Sequence, residues 1–289
     1  MKRLLTIAAS LTLLTGVMTA CGGGNAEFND SRSINVTSRE DGSGTRGAFI
    51  ELFEIEEKSA DGSRRDLTTT SATIANKTDI MLTTISQDLY AIGYVSLGSL
   101  NNSVTAVDID GQAATSENVR NGSYEIFRPF NIVTKGEAGG VAQDFINFIL
   151  SKEGQEVVSD NYIAVNDNAE SFTSDGSSGK IVVAGSSSVA PVMEKLIEAY
   201  EKINSDASIE LQANDSTSGI NGTIDGIADI GMSSRDLKED EAAQLNAIEI
   251  ALDGLAVIVH KDNPLTNLSA AQVAEIFKGN VKNWEDVIE

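Results

Sequence analysis

Four times in this chain a short apolar or β-branched run stops at a cluster of serine, threonine and glycine, and a helical pattern follows. "INV" leads into "SREDGSGT" and then "GAFIELFEI", where Phe49, Ile50 and Phe53 recur at helical spacing. "KIVVAG" leads into "SSSVAPVMEKL", with Pro191 in the first helical turn, where its missing N–H costs nothing. "NDSTSGINGTIDG" and "IADIGMSSRDL" are the third and fourth clusters. Helix N-termini expose unpaired N–H groups and a positive dipole end, and neighbouring hydroxyls add donors. One such cluster is an ordinary helix cap. Four of them, each at a strand end, can converge into a cage for an anion with Arg39 as its one full cation. The clusters are not copies of a repeat, since "SRED" at Ser38 and "SRDL" at Ser234 share letters in different surroundings.

The rest of the chain has the same alternation. After "KIVVAG", apolar residues Val189, Met193, Leu196, Ile197, Tyr200 and Ile203 fall at helical spacing. "AGGVAQDFINFILSKEGQEVVSD" reads as two helices and "SAAQVAEIFKG" as helical, while "EIFRPFNIVTK" and "IALDGLAVIVHK" are extended β-branched runs. Strands alternating with helices predict an α/β architecture. Two polar stretches interrupt it, a tether at residues 21–32 and a linker or long loop, "NDNAESFTSDGSSG", at residues 166–179.

The formal charge of −22 over 289 residues makes nucleic acid or an anionic membrane surface a poor partner for the body of the protein. Residues 1–20 carry Lys2, Arg3 and a short apolar core, which is a secretory signal rather than a spanning helix. The segment resembles a bacterial lipoprotein signal, although Met18 stands where leucine is usual. Cys21 is the only cysteine, so an internal disulfide is excluded and lipid attachment is the reading of that thiol. Extracytoplasmic residence, with contact to the membrane through the lipid alone, follows. An enzyme finds little support: His260 is the only histidine, no Ser/His/Asp set can be built, and "GSGTR" lacks the spacing and lysine of a P-loop. Neither a metal nor a cofactor is called for, and Trp284 reads as a packing residue.

Taken together, "AGSSSVAPVMEKL", "DSTSGI", "DIGMSSR", "SREDGSGTR", "AIGYVSLGSL" and "RPFNIVTK" resemble the phosphate-binding lipoproteins of bacterial phosphate ABC importers, across about Ile34 to Val287. The resemblance implies a type II periplasmic-binding-protein fold, two α/β lobes with phosphate in the cleft between them, and a monomer. It implies a partner too, a membrane permease with ATPase subunits. Carried over by motif, the ligand shell would be Ser187 and Ser188, Ser216, Ser234, and Arg39, Ser43, Gly44 and Thr45, with Asp41 orienting Arg39. Many members have an aspartate where Ser234 stands, so another tetrahedral oxyanion such as sulfate is the alternative ligand. A lipid-anchored surface protein without transport activity is the alternative class.

The order of the motifs departs from the family, in which "AGSSSVAP" precedes "SREDGSGTR". Here the second half comes first, which is a circular permutation. Surface-loop cuts between nearby termini preserve core contacts. The expected lobes are residues 33–128 plus 259–289, and residues 129–258, with crossings near "IFRPF" and "LAVIV".

Overall fold

The computed structural model describes residues 28–59, 64–166 and 168–288. The signal sequence, Cys21 and the first part of the tether lie outside the described residues. β1 (Asn35–Arg39) passes through the first hydroxyl turn into α1 (Gly44–Leu52), and a hairpin of β2 (Glu56–Lys58) and β3 (Arg64–Asp66) follows. Next come β4 (Thr73–Ala75), α2 (Thr78–Gln87), β5 (Ala91–Ser96), β6 (Val104–Ile109) and α3 (Ser116–Arg120). The middle of the chain is β7 (Phe127–Thr134), α4 (Gly140–Leu150), α5 (Lys152–Ser159), β8 (Gly179–Ser186), α6 (Ala190–Ile203), β9 (Ala207–Asn214), α7 (Ser216–Ile224), β10 (Ile230–Ser233) and α8 (Glu239–Ala242). β11 (Asn246–His260), β12 (Asn267–Leu268) and α9 (Ala270–Phe277) complete it. The helix pair and the extended runs read from the sequence are α4 with α5, β7 and β11.

Strand order is β4-β1-β5-β11-β7-β10-β8-β9, with β6 also paired to β11 and β12 to β6. β1 lies parallel to β4 and β5, and β8 parallel to β9 and β10. The strand β11 joins the two parallel groups. Asn246–Gly254 pair antiparallel with β7, and the residues from Leu255 on pair with β5 and β6. A register shift between Glu249 and Ala251 interrupts the β7 ladder, and such irregularities bend a strand and increase its twist.

Two main apolar cores result. The first contains Ile34, Phe49, Tyr94, Val107, Phe277 and Trp284, and the second Phe130, Phe145, Val183, Met193, Tyr200 and Ile250. Leu255, Ala256, Val257 and Ile258, expected with residues 129–258, pack instead in the first core. The run "LAVIV" is uniformly apolar and gives no sign of a boundary; the change of core falls at Asp253 and Gly254, where β11 leaves β7.

A buried ion pair sits at that change. Arg128 Nη2 lies 3.1 Å from Asp253 Oδ2, and Ser96 Oγ donates to Asp253 Oδ1 at 2.7 Å. Burial opposes both charges, pushing the Asp253 carboxyl up and the Arg128 guanidinium down, while the mutual attraction and the Ser96 hydroxyl act the other way.

Within the polar stretch at 166–179, residues 172–175 are tied down as a strap rather than a free linker. Asp144, 1% exposed, accepts from Ser174 Oγ at 2.7 Å, Asp175 N at 3.0 Å and Tyr200 Oη at 2.8 Å. Phe172 packs edge-on against Phe148 with ring centroids 5.3 Å apart.

The two ends of the described chain form a short ladder. Ser33 bridges Asn283, Ile34 N donates to Lys282 O at 2.7 Å and Glu285 N donates to Asp30 O at 2.7 Å. Phe28 then packs on the buried Trp284 at 5.8 Å.

Removing one member of a buried pair strands the other charge. Asp253→Ala should therefore lower unfolding stability by about 3–5 kcal/mol in urea titrations.

Candidate functional site

Each hydroxyl cluster occupies a turn from a strand end into a helix or loop. After β1, Ser43 N donates to Glu40 O at 3.0 Å, and Ser43 Oγ caps α1 by accepting from Arg46 N at 3.3 Å. Gly44 and Thr45 thereby open that helix. Ser187 and Ser188 fill the turn between β8 and α6, and Asp215 caps α7 so that Ser216 is its first residue. Ser234 follows β10 directly. Gly185 in β8 has φ +138°, and a Cβ there would run into the Met232 carbonyl of β10, so close approach of these strands depends on glycine.

These turns meet. Arg39 Nη2 donates to Ser187 Oγ at 3.1 Å, and Thr45 Oγ1 lies 2.7 Å from Ser188 Oγ. Ser234 N donates to Ser216 Oγ at 3.1 Å, and Ser186 Oγ donates to Ser234 Oγ at 2.9 Å. A Cβ on Gly44 would run into Ser216 Oγ and sit 2.7 Å from Ser234 Oγ. The expected set Arg39, Gly44, Thr45, Ser187, Ser188, Ser216 and Ser234 is thus brought together from four turns, and all are buried. Ser43 is buried beside them with its hydroxyl engaged as the α1 cap.

Asp41 does not orient Arg39. It occupies the exposed tip of the Glu40–Ser43 turn, its side chain is 97% exposed, and its partner is Arg46 at 3.0 Å. The carboxylate on Arg39 is that of Glu40, which accepts from Nε and from Nη2, each at 2.8 Å. Sequence reasoning named Asp41 alone, because nothing in "SRED" tells which acid the turn directs inward. Tyr94 was missed as well: its hydroxyl accepts from Arg39 N at 3.0 Å and lies 2.8 Å from Ser38 Oγ, while its ring stacks on Phe49 at 3.8 Å. Burial pushes its phenol up, so it stays neutral as it holds the end of β1. Thr78, at the start of α2, was the third omission; its hydroxyl lies 3.3 Å from Ser188 Oγ. The only sequence signal for it was a threonine opening the amphipathic run "TDIMLTTIS".

The first turns of α1, α2, α6 and α7 therefore face one cluster of hydroxyls, with a guanidinium beside it. The arrangement offers neutral donors and dipole ends to an anion. A groove of about 380 Å³ lined by Asn147, Leu150, Glu170 and Phe172 lies elsewhere and includes none of these residues. Among the described residues no group of three or more His, Cys, Asp or Glu side chains could hold a metal ion.

The sequence matches the PBP superfamily domain over residues 25–153 and 170–288. It is 49% identical to phosphate-binding protein PstS 2 of Streptococcus agalactiae over 288 residues, 99% of this chain and 98% of that one. The chain belongs to the phosphate-binding proteins of the PBP superfamily. A family member of known structure, the phosphate-binding protein of a phosphate ABC transporter from Streptococcus pneumoniae, is 44% identical. It matches with a TM-score of 0.71, covering 89% of this chain and 100% of its own. Phosphate-binding protein PstS of Borreliella burgdorferi aligns over only 110 residues at 36% identity, 37% of this chain and 39% of its own. The two-lobed α/β fold of the family is the fold described above.

Two outcomes distinguish the acids and the glycine. Glu40→Gln, which removes the charge facing a guanidinium only 2% exposed, should lower stability by about 1–3 kcal/mol, and Asp41→Asn by less than about 0.5, in chemical denaturation. Gly44→Ala should force apart the turns carrying Ser216 and Ser234, costing about 1–3 kcal/mol by the same measurement.

Proposed function

We propose that this protein binds inorganic phosphate outside the cytoplasm and hands it to an ABC permease with ATPase subunits. One observation carries the reading: Arg39 and Thr45, beside the first core, hydrogen-bond Ser187 and Ser188, beside the second, so a tetrahedral oxyanion at this junction can be gripped from both sides. The ligand shell is Arg39, Ser43, Gly44, Thr45, Ser187, Ser188, Ser216 and Ser234. Asp41 is left out of it, and Glu40 takes the orienting role. Phosphate is what the names of the S. agalactiae and S. pneumoniae relatives specify for those proteins. The role is binding and delivery rather than catalysis.

The two lobes are proposed as residues 33–128 with 255–289, and residues 129–252, joined through β7 and β11. Closure is a hinge at those strands, which are the natural place for it because the chain passes between the two cores at their ends, between Ile126 and Phe130 and between Ala251 and Leu255. The signal sequence and Cys21 support a lipid anchor on the outer side of the cell membrane, and no helix among the described residues is long and apolar enough to cross one. A monomer suffices, since every ligand residue comes from one chain.

The permuted order of the halves is part of this reading. Two features support it: the terminal ladder between Ser33 and Asn283, and the alignment with the Borreliella protein over only 37% of this chain and 39% of that one, as expected when two chains carry the same halves in opposite order. The S. agalactiae relative aligns along its whole length, so the order is not peculiar to this chain.

Sulfate is favoured by one feature, the serine at 234 where a carboxylate would accept the proton of hydrogen phosphate. Isothermal titration with phosphate and with sulfate separates the readings. Phosphate should bind tightly, sulfate weakly, and Arg39→Ala should weaken phosphate by about 2–4 kcal/mol. Tighter sulfate binding replaces the ligand, and binding of neither anion removes the transport reading.

A further inference from the structure

Thr78 stands apart from Ser187 and Ser188 in how it is bonded. Its side chain is buried, yet each of its contacts is long: 3.3 Å to Ser188 Oγ, 3.4 Å to Ser187 Oγ, and 3.4 Å from the Arg39 Nη1 that donates to it. Hydroxyl hydrogen bonds normally lie at about 2.5–3.0 Å. Its neighbours have shorter partners, Ser188 with Thr45 at 2.7 Å and Ser187 with Arg39 Nη2 at 3.1 Å. Thr78 also opens α2, a helix of ten residues whose N-cap, Lys77, provides no side-chain cap.

We infer that Thr78 is a further oxyanion-binding residue, its hydroxyl and the first turn of α2 donating to the same ligand as Ser187 and Ser188. This rests on the phosphate reading above and extends its ligand shell to a helix that no motif pointed to. The chemistry is direct. A buried hydroxyl with weakly used bonding capacity gains most from a charged acceptor, because a charge-assisted hydrogen bond is roughly twice as strong as a neutral one. Arg39 and Glu40 are joined to each other by two hydrogen bonds, and Arg46, paired with Asp66, donates to the Arg39 carbonyl beside them. Lys77 and Asp79, of opposite sign, flank Thr78 on exposed positions. The α2 N-terminus therefore meets the ligand position without a net charge of its own.

Three proteins test this by phosphate titration calorimetry, with thermal melts recorded in the absence of phosphate. Thr78→Val keeps the shape and removes the hydroxyl, and Thr78→Ser keeps the hydroxyl and removes the methyl. We expect Thr78→Val to bind phosphate about ten-fold more weakly or worse, the loss of one hydrogen bond to a charged group. Thr78→Ser should stay within about three-fold of the unmodified protein, and Thr78→Val should melt within about 2 °C of it when no phosphate is present. Unchanged affinity in Thr78→Val overturns the inference, and so does equal weakening in Thr78→Ser, which would assign the effect to packing. If Thr78→Val does not fold, Thr78→Ala replaces it in the phosphate titration, where weakening in Thr78→Ala with affinity retained in Thr78→Ser supports the hydroxyl and equal affinity in the two overturns it. Failure of the unmodified protein to bind phosphate overturns the phosphate reading, and this inference falls with it.

Discussion

The antiparallel ladder between β7 and β11 is the constraint on which the rest depends. β7 supplies Phe130 and Ile132 to the second core, and β11 runs from one core to the other, supplying Ile250 to the second and Leu255 to Val259 to the first. The turns that bear hydroxyls hang from parallel strands on either side of this ladder, so their mutual positions are set by its bend. A charged pair near the end where β11 leaves β7 is a costly choice, because apolar residues of similar volume often stabilise as well or better. Its advantage is directional. Arg128 and Asp253 have partners only in one register of β7 against β11, whereas an apolar pair tolerates slippage.

The anion site solves an electrostatic problem. A chain with a formal charge of −22 repels the ligand at long range, yet screening at physiological ionic strength limits that field to about 8 Å. What acts inside the site is local: hydroxyls, helix first turns, and a guanidinium whose charge Glu40 already balances. Donors of this neutral kind hold an oxyanion without requiring a large desolvation of opposite charges. They also release it without leaving an unpaired cation behind, which suits a protein that must give its ligand up.

Much of this was visible in the residues. Hydroxyl clusters at strand ends announce themselves because strand, turn and helix each leave a local pattern, and the α/β class follows from their alternation. Assignment of particular ligands came through the likeness to a family, not from the pattern. What stayed hidden was decided by tertiary geometry. Asp41 and Glu40 are adjacent acids, and only the closing of the turn by Ser43 N onto Glu40 O determines which one points outward. Thr78 joins the cluster because β4 lies beside β1, a pairing that no local signal encodes. The passage of β11 between cores was misplaced by a few residues because a strand buried on every side has no periodicity to read.

The ladder that ties Ser33 to Asn283 has a kinetic side. The second core is drawn from one unbroken stretch, residues 130–251, and contains everything it needs once that stretch exists. The first core draws on residues 34–126 and again on 255–287, with Ile163 added from the middle of the chain. Its opening strands must wait: β5, buried along its whole length, has no neighbour on its β11 side until the other domain has been spelled out. Contacts of such long sequence separation slow folding, and an uncovered strand edge invites pairing with other chains. The half of the molecule that emerges first is thus the half that folds last, and for that interval it depends on whatever shelters an unfinished sheet.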